Sequence, residues 1–467
     1  SIIEHTAEVF DPHVFIVDKE PLGLRGEVRT TLEKLGQRGT RLVLGLRDAT
    51  QISERMVVTS PLAQFILGHM DGNHEIGGII NAAKAQAQQV GVPPQAIEQI
   101  TEQPIQQLIA QLDDAGMLEG PTFEALRDKV REQFDSSDVL PPAASADFAD
   151  ALVMQELGEE ATDEQKKAMG PQKLADQLDS FMDEAMKKAE DPAFDTLPRA
   201  VIAPHLDYGR GWLNYAHTYA RLRVADRPDR VIILGTNHFG QGTGVVGCDK
   251  GYETPLGTCQ ADSEFLDTLK SKLGSENAEK LMAHRFDHER EHSIELHIPW
   301  IQHVFRNPDS GDYPKVLGIL VHDPVRNNGE SYDGNGLGID PFVEALKATI
   351  AEMPGKTLLV SSADLSHIGK AFGDQHSFLG DDEQAKETRD RVLKHDQEMI
   401  DLIKQAKADE LITSMSWQQN PTRWCSIGNL VVTMRATDAD EVKVLHYAAA
   451  GDQQGMALVS SMAGAIF

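Results

Sequence analysis

Four runs of almost unbroken apolar residues punctuate the carboxyl-terminal part of the chain: Ala200-Val-Ile-Ala203, Arg230-Val-Ile-Ile-Leu234, Val316-Leu-Gly-Ile-Leu-Val321 and Thr357-Leu-Leu-Val-Ser361. Each has the length of a strand and none shows the alternation of a sheet with one wet face. They therefore predict the central strands of an α/β domain, a mainly parallel or mixed sheet flanked by helices. Ahead of them, residues 162–188 are charged and carry Leu174, Leu178 and Met182 at a spacing of four, the pattern of a helix laying one apolar stripe on a neighbour.

The first third of the chain is patterned differently. Arg41-Leu-Val-Leu-Gly-Leu-Arg47 reads as a short strand, Ser60-Pro61 as a helix start continued by Leu62 to His69, and Asp71-Gly72 as its stop. Ile76 to Ala87 and Pro104 to Leu112 read as amphipathic helices, with a hairpin over Asp114 to Gly120. This mostly helical order is similar to winged-helix modules and to small peptide-docking domains. Its helices carry Gln, Glu and Asp where a DNA-reading helix needs basic residues, so protein docking is the expected role. The Pro141-Pro142 pair and the small polar residues of Asp135 to Ser145 mark a boundary. The expected division is an accessory domain over 1–134, a linker and helical entry over 135–199, and the α/β domain over 200–467.

Charge narrows the functional classes. With 44 Lys and Arg against 73 Asp and Glu, the formal net charge is −29, and no basic stripe is available to meet phosphates. Nucleic acid and anionic membrane surfaces are therefore not expected partners. No apolar run reaches the roughly 20 residues of a membrane span, nor does a basic segment lead into an apolar one, so a cytoplasmic location is expected. Cys248, Cys259 and Cys425 form an odd, sparse set, which suits reduced thiols and leaves at least one free for chemistry.

Candidate chemistry lies at the ends of the apolar runs. Pro204-His205 follows the first, Gly235-Thr-Asn-His238 the second and Ser361-Ser-Ala-Asp364-Leu-Ser-His367 the fourth. Ligands of open α/β sheets bind at the carboxyl ends of strands, so three histidines placed there are expected to converge on one crevice.

The order of short motifs is more specific than any one of them. Pro204-His-Leu-Asp-Tyr208, Gly235-Thr-Asn-His238, Glu253-Thr-Pro-Leu-Gly257, Glu291-His-Ser-Ile-Glu295 with Pro299, Ser361 to His367, Cys425 with Gly428, and the final Val459 to Phe467 resemble the Memo family. Its bacterial and archaeal members are called AmmeMemoRadiSam system protein B. The resemblance spans roughly 140–467 and implies a fold related to class III extradiol dioxygenases. It also implies a metal held by His205, His238 and Cys425, the cysteine standing where the dioxygenases use a carboxylate. Asp364 and His367 would share the pocket as an acid-base pair projecting from one helical turn, with Asp207, His292 and Glu295 lining or bracing it. Two imidazoles and a thiolate suit Fe(II) foremost, then Cu or Zn, and three protein ligands leave positions open, as in catalytic sites.

The implied function is redox chemistry on a small aromatic or similar substrate, the alternative being a non-catalytic scaffold that holds metal or peptide. Radical SAM and AMMECR-type proteins are the implied partners. The chain departs from the family pattern at Ser145-Ala146, which replace an Ala-Gly pair, and in lacking the Tyr-Pro that follows it, which puts the pocket entrance in question. Phe239 after the second histidine leaves substrate polarity open.

A competing pattern is His288-Glu289-Arg-Glu-His292, which fits the H-E-x-x-H of zinc peptidases, where two histidines one helical turn apart hold zinc and the glutamate activates water. Pro299 follows closely and would limit such a helix. Gly240-Gln-Gly-Thr-Gly244 has neither P-loop nor dinucleotide-binding spacing and is expected to be a flexible loop at the pocket rim.

Overall fold

The computed structural model describes residues 14–18, 41–45, 57–59, 62–70, 74–118, 120–187, 189–289, 291–375, 378–380, 382–452 and 454–467. These fall into two units, Ser1–Ser136 and Ser137–Phe467.

In the first unit, β1 (Val14–Asp18) pairs parallel with β2 (Arg41–Gly45), and β2 antiparallel with β3 (Val57–Thr59). Helices α1 (Ala63–Leu67), α2 (Ile76–Gln89), α3 (Pro94–Ile97) and α4 (Glu102–Asp114) follow. They bury Phe65, Ile79, Ala83, Ile100, Ile105 and Leu108 in one cluster. In place of the hairpin expected over Asp114 to Gly120, Gly116 closes α4 in a left-handed conformation (φ +70). Pro121 then opens α5 (Pro121–Asp135), because a proline at the first helical turn needs no N–H partner. The stretch expected to form a wing is thus a junction between two helices. The signals at Ser60-Pro61 and Asp71-Gly72 lie outside the described residues.

The second unit begins with β4 (Val139–Leu140), α6 (Ala144–Leu157) and α7 (Asp163–Met186). Thr162 and Gln165 form a reciprocal capping box at the start of α7, and Leu174, Leu178 and Met182 are buried as their spacing predicts. The chain continues through β5 (Ala200–Ala203), α8 (Tyr208–Tyr219), β6 (Arg230–Thr236), β7 (Val246–Gly247), β8 (Gly251–Thr254), β9 (Gly257–Cys259) and α9 (Ser263–Met282). Then come α10 (His292–Glu295), α11 (Ile298–Phe305), β10 (Lys315–Val321), α12 (Ile339–Glu352), β11 (Thr357–Ser362) and β12 (Asp364–Ile368). Helices α13 (Glu383–Lys404), α14 (Ala408–Gln418) and α15 (Ile427–Ala436) precede the hairpin of β13 (Lys443–Gly451) and β14 (Leu458–Ile466).

All four apolar runs are strands. They lie side by side and parallel in the order β5, β11, β6, β10. Antiparallel strands extend this core to an eight-stranded mixed sheet: β7 beside β10, and β14 beside β5, where it also pairs with β12 and β13. Every residue of β5, β6 and β14 is buried, as expected of strands covered on both faces. Val139 and Leu140, within the stretch expected to be a linker, instead form the edge of a three-stranded sheet with β8 and β9.

Two glycines allow the helices to approach the strand ends closely. A Cβ on Gly235 would stand 2.6 Å from Ser293 Oγ, where α10 packs on β6. On Gly428 it would stand 2.2 Å from the carbonyl oxygen of His322, where α15 meets the end of β10. Backbone cannot yield as a side chain does, so Gly428→Ala should cost about 1–3 kcal/mol. Urea denaturation is the check, and an unchanged midpoint would show that α15 tolerates displacement.

Candidate metal centre

His205 stands two residues beyond β5 and His238 two beyond β6, so the two parallel strands that flank β11 and the short helix α10 deliver three imidazoles to one end of the sheet. The ring centres of His205 and His238 are 5.0 Å apart, those of His238 and His292 4.8 Å, and those of His205 and His292 5.5 Å. One ring nitrogen from each can be chosen so that all three lie within 4.8 Å of one another. Cys425, just ahead of α15, places its Sγ 3.4 Å from His205 Nε2 and 3.2 Å from Ser426 Oγ. The side chain of His205 is 2% exposed, whereas His238 and His292 are 22% and 32% exposed, so the group opens to solvent on their side.

Hydrogen bonds decide which nitrogens are available. The hydroxyl of Ser362 donates to Ser293 O at 2.6 Å, so it can only accept at 3.0 Å from His205 Nδ1, and His205 Nε2 is left with its lone pair. Glu291, almost wholly buried, accepts the His238 backbone N–H at 2.8 Å, His238 Nδ1–H at 3.0 Å and the Ser293 N–H at 2.9 Å. The Nδ1 of His292 lies 3.3 Å from the same Oε1. A carboxylate holding Nδ1, so that the opposite nitrogen of the ring faces the site, is the arrangement that orients metal-ligating histidines.

Protonation follows from these contacts. Burial and the neighbouring histidines push His205 well below its ordinary range. Burial would lower His238 too, but hydrogen bonds and charge from Cys425 and Glu291 outweigh it and lift the group to about 10. Desolvation alone would raise Glu291, yet its contacts with His238 hold it low. Burial also pushes Asp364 up to about 7 and His367 down to about 4, so an acid prone to keep its proton stands near an imidazole prone to lack one.

Several sequence expectations need correction. Asp364 and His367 do not share a helical turn: they lie on β12, with a register irregularity between them. Asp364 engages His205 instead, accepting its backbone N–H at 3.1 Å, while His367 Nδ1 meets Leu365 O at 2.9 Å. Asp207 is an exposed cap of α8, and its carboxylate pairs with Arg210. Glu295 accepts hydrogen bonds from the backbone N–H groups of Ala143, Ala144 and Ser145 and from the Ser145 hydroxyl, holding the start of α6 rather than facing the histidines. This is where Ser145-Ala146 departs from the family pattern.

The zinc-peptidase pairing is not formed. His288 ends a 3-10 turn (Arg285–His288) separate from α10 and is 1% exposed. Its Nε2 donates to Val246 O at 3.1 Å, so its Nδ1 accepts from Tyr252 OH at 3.2 Å, and neither nitrogen is free for an ion. The loop expected to be flexible, residues 240–244, is tied down: Asp287 accepts from Gln241 N, Gly242 N and Asn237 Nδ2.

Three features went unforeseen. His292 stands close enough to His205 and His238 to complete a three-histidine group. Glu291, which the motif displayed, anchors His238 and stands 3.3 Å from His292 Nδ1. Asp396 on α13 is fully buried and accepts from Ser366 Oγ, Trp424 Nε1 (2.9 Å), Tyr447 OH (2.6 Å) and Ser460 Oγ, tying the Asp364–His367 strand to the segment that carries Cys425.

A family model described as Memo-like protein matches residues 168–466. A MEMO1 family protein of Methanopyrus kandleri is 30% identical over 266 residues, which are 56% of this chain and 79% of that protein. MEMO1 family proteins of Desulfurococcus amylolyticus and Methanobrevibacter smithii are each 29% identical, over 258 and 275 residues, covering 54% and 58% of this chain and 77% and 83% of theirs.

Proposed function

Since the chain belongs to the Memo family, we propose that it is a metal-dependent redox enzyme whose ion, Fe(II) foremost and Cu or Zn otherwise, is held by His205, His238 and Cys425. The supporting observation is the approach of Cys425 Sγ to His205 Nε2, with the opposite ring nitrogens of His205 and His238 engaged by Ser362 and Glu291. Such a soft-to-borderline donor set suits late first-row metals and disfavours Mg(II) and Ca(II). Bound there, Fe(II) or Cu would supply one-electron redox chemistry and Lewis acidity toward a small aromatic or similar substrate.

The protein's own part is orientation and proton handling. Asp364 fixes the backbone at His205 and, with its raised pKa, keeps a proton available at its carboxyl near neutral pH. His367 offers an unprotonated Nε2, since its Nδ1–H is engaged by Leu365 O. The pair can give and take protons from a phenolic or enolic group. Phe239 lies against His238 and His292, with ring centres 5.7 and 5.9 Å away, and forms an apolar wall beside them. Among the described residues no helix is long and apolar enough to cross a membrane.

Metal analysis of anaerobically purified protein is the test. Near-stoichiometric iron or copper is expected in the wild type and its loss in the Cys425→Ala, His238→Ala double variant. Full metal content in the double variant would place the ion elsewhere, and metal-free protein with undiminished activity would end the metalloenzyme reading.

A further inference from the structure

We propose that His292 is a third histidine donor to the metal held by His205 and His238, so that three imidazoles grip the ion with the Cys425 sulfur beside them. This rests on the metal-site reading above and extends its ligand set.

The two outer histidines share one neighbour. Glu291 Oε1 takes His238 Nδ1–H at 3.0 Å and lies 3.3 Å from His292 Nδ1, so a single buried oxygen orients the first ring and stands beside the same nitrogen of the second. The rings lie nearly parallel, 28° apart, and the His205 ring stands edge-on to each, at 78° to His238 and 87° to His292. One ring nitrogen from each of the three lies within 4.8 Å of the others. Nitrogens bound about 2.1 Å from one ion stand roughly 3–4 Å apart, so the rings need close by only on the order of 1 Å. His292 retains partial exposure, so that movement meets no packed core.

A surface histidine paired only with a carboxylate would not need its neighbours so near. Here the pairing carboxylate is itself buried and already bonded to His238. A carboxylate–histidine pair orients His238, and the same carboxylate stands beside His292. Three imidazoles also make the grip independent of the sulfur: the site should keep an ion when Cys425 cannot ligate, whereas a set of two histidines and a cysteine would be left with two donors.

Full-length protein with Cys425→Ser avoids reduction of Cu(II) by the thiol and allows the nitrogen donors to be counted by electron paramagnetic resonance. Nitrogen hyperfine structure of three imidazoles is expected. Adding His292→Ala should reduce it to two and weaken Cu(II) binding more than tenfold. His292→Gln serves the same purpose should the alanine variant misfold, with circular dichroism as the control. Unchanged hyperfine structure and affinity without His292 would overturn the proposal and leave the underlying site standing. Binding that also survives His205→Ala and His238→Ala would overturn both, as would a Cys425→Ser protein that takes up no copper while the wild type also holds no metal. A Cys425→Ser protein that loses the ion the wild type holds would overturn the three-imidazole grip alone.

Discussion

Asp396→Ala is expected to destabilise the second unit by about 4 kcal/mol, an unusually large effect for a residue of a highly charged helix. The side chain is fully buried, and its two oxygens accept from four donors on four segments. Two of those donors have local substitutes: Ser366 Oγ can turn to Thr422 Oγ1 at 2.7 Å, and Trp424 Nε1 to Ser366 Oγ at 3.1 Å. The hydroxyl of buried Ser460 loses its acceptor, which costs about 1–3 kcal/mol, and the half-buried hydroxyl of Tyr447 loses the same partner at smaller cost. Lost packing adds to that. Asp396→Asn keeps the volume but turns an N–H₂ toward donors, so it should fall between wild type and alanine. All four tryptophans, Trp212, Trp300, Trp417 and Trp424, lie in the second unit, so fluorescence during urea unfolding reports that unit alone. A loss under 1 kcal/mol in the alanine variant would mean that the four donors find other partners.

The second large effect is acid sensitivity that begins near neutrality. His288 and His297 are buried, and desolvation pushes them down to about 4 and about 3. Each sits in the core as a neutral ring, His297 Nδ1 bonded to Tyr219 OH at 2.9 Å. Both have folded pKa values depressed below the unfolded value of about 6.5, so between the two values the unfolded chain binds protons that the native state refuses. Stability is therefore unaffected by these groups above about pH 6.5 and falls as the pH drops toward about 4. These two histidines contribute a loss on the order of 3 kcal/mol per pH unit, to which His205, His217 and His367, also held low by burial, add. Ordinary carboxylates scarcely titrate in the upper part of this range, which separates the effect from general acid unfolding. The fall in urea midpoint between about pH 6.5 and pH 5 should be shallower, though not abolished, in a His288→Asn, His297→Asn protein. An equally steep fall in that variant would assign the acid sensitivity to other groups.

The parts legible in the sequence share a physical cause. Strands β5, β6, β10 and β11 are parallel and covered on both faces, so burial writes itself as unbroken apolar runs, and His205 and His238 follow from standing just past two of them. Strand β12 did not show, because Asp364-Leu-Ser-His-Ile368 mixes polar and apolar residues and its hydroxyl turns inward to Asp396. Glu295 was placed wrongly because a carboxylate that caps a helix and one that faces a ligand are the same residue type in a motif, and only the partner tells them apart. Asp396 lies in a helix whose other acids are solvated, so nothing in its neighbours marks it as buried. His292 was obscured by the peptidase-like spacing to His288, although the chain breaks between a 3-10 turn and α10 and sends the two rings to different places.

Strand β14 lies against β5, although Gly464 and its partner Ile202 are far apart along the chain. Until residues 458–466 arrive, the parallel strands from β5 to β10 have an open margin: β5 presents unpaired amides and carbonyls beside buried apolar side chains, a template for another chain. Contacts so distant in sequence close late and slowly, so partly made molecules of this protein pass through an adhesive stage during synthesis. Strand β12 also pairs with β14, so Asp364 and His367 come into place only as that margin is sealed. Sealing of the sheet edge and assembly of the site are thereby one closing event.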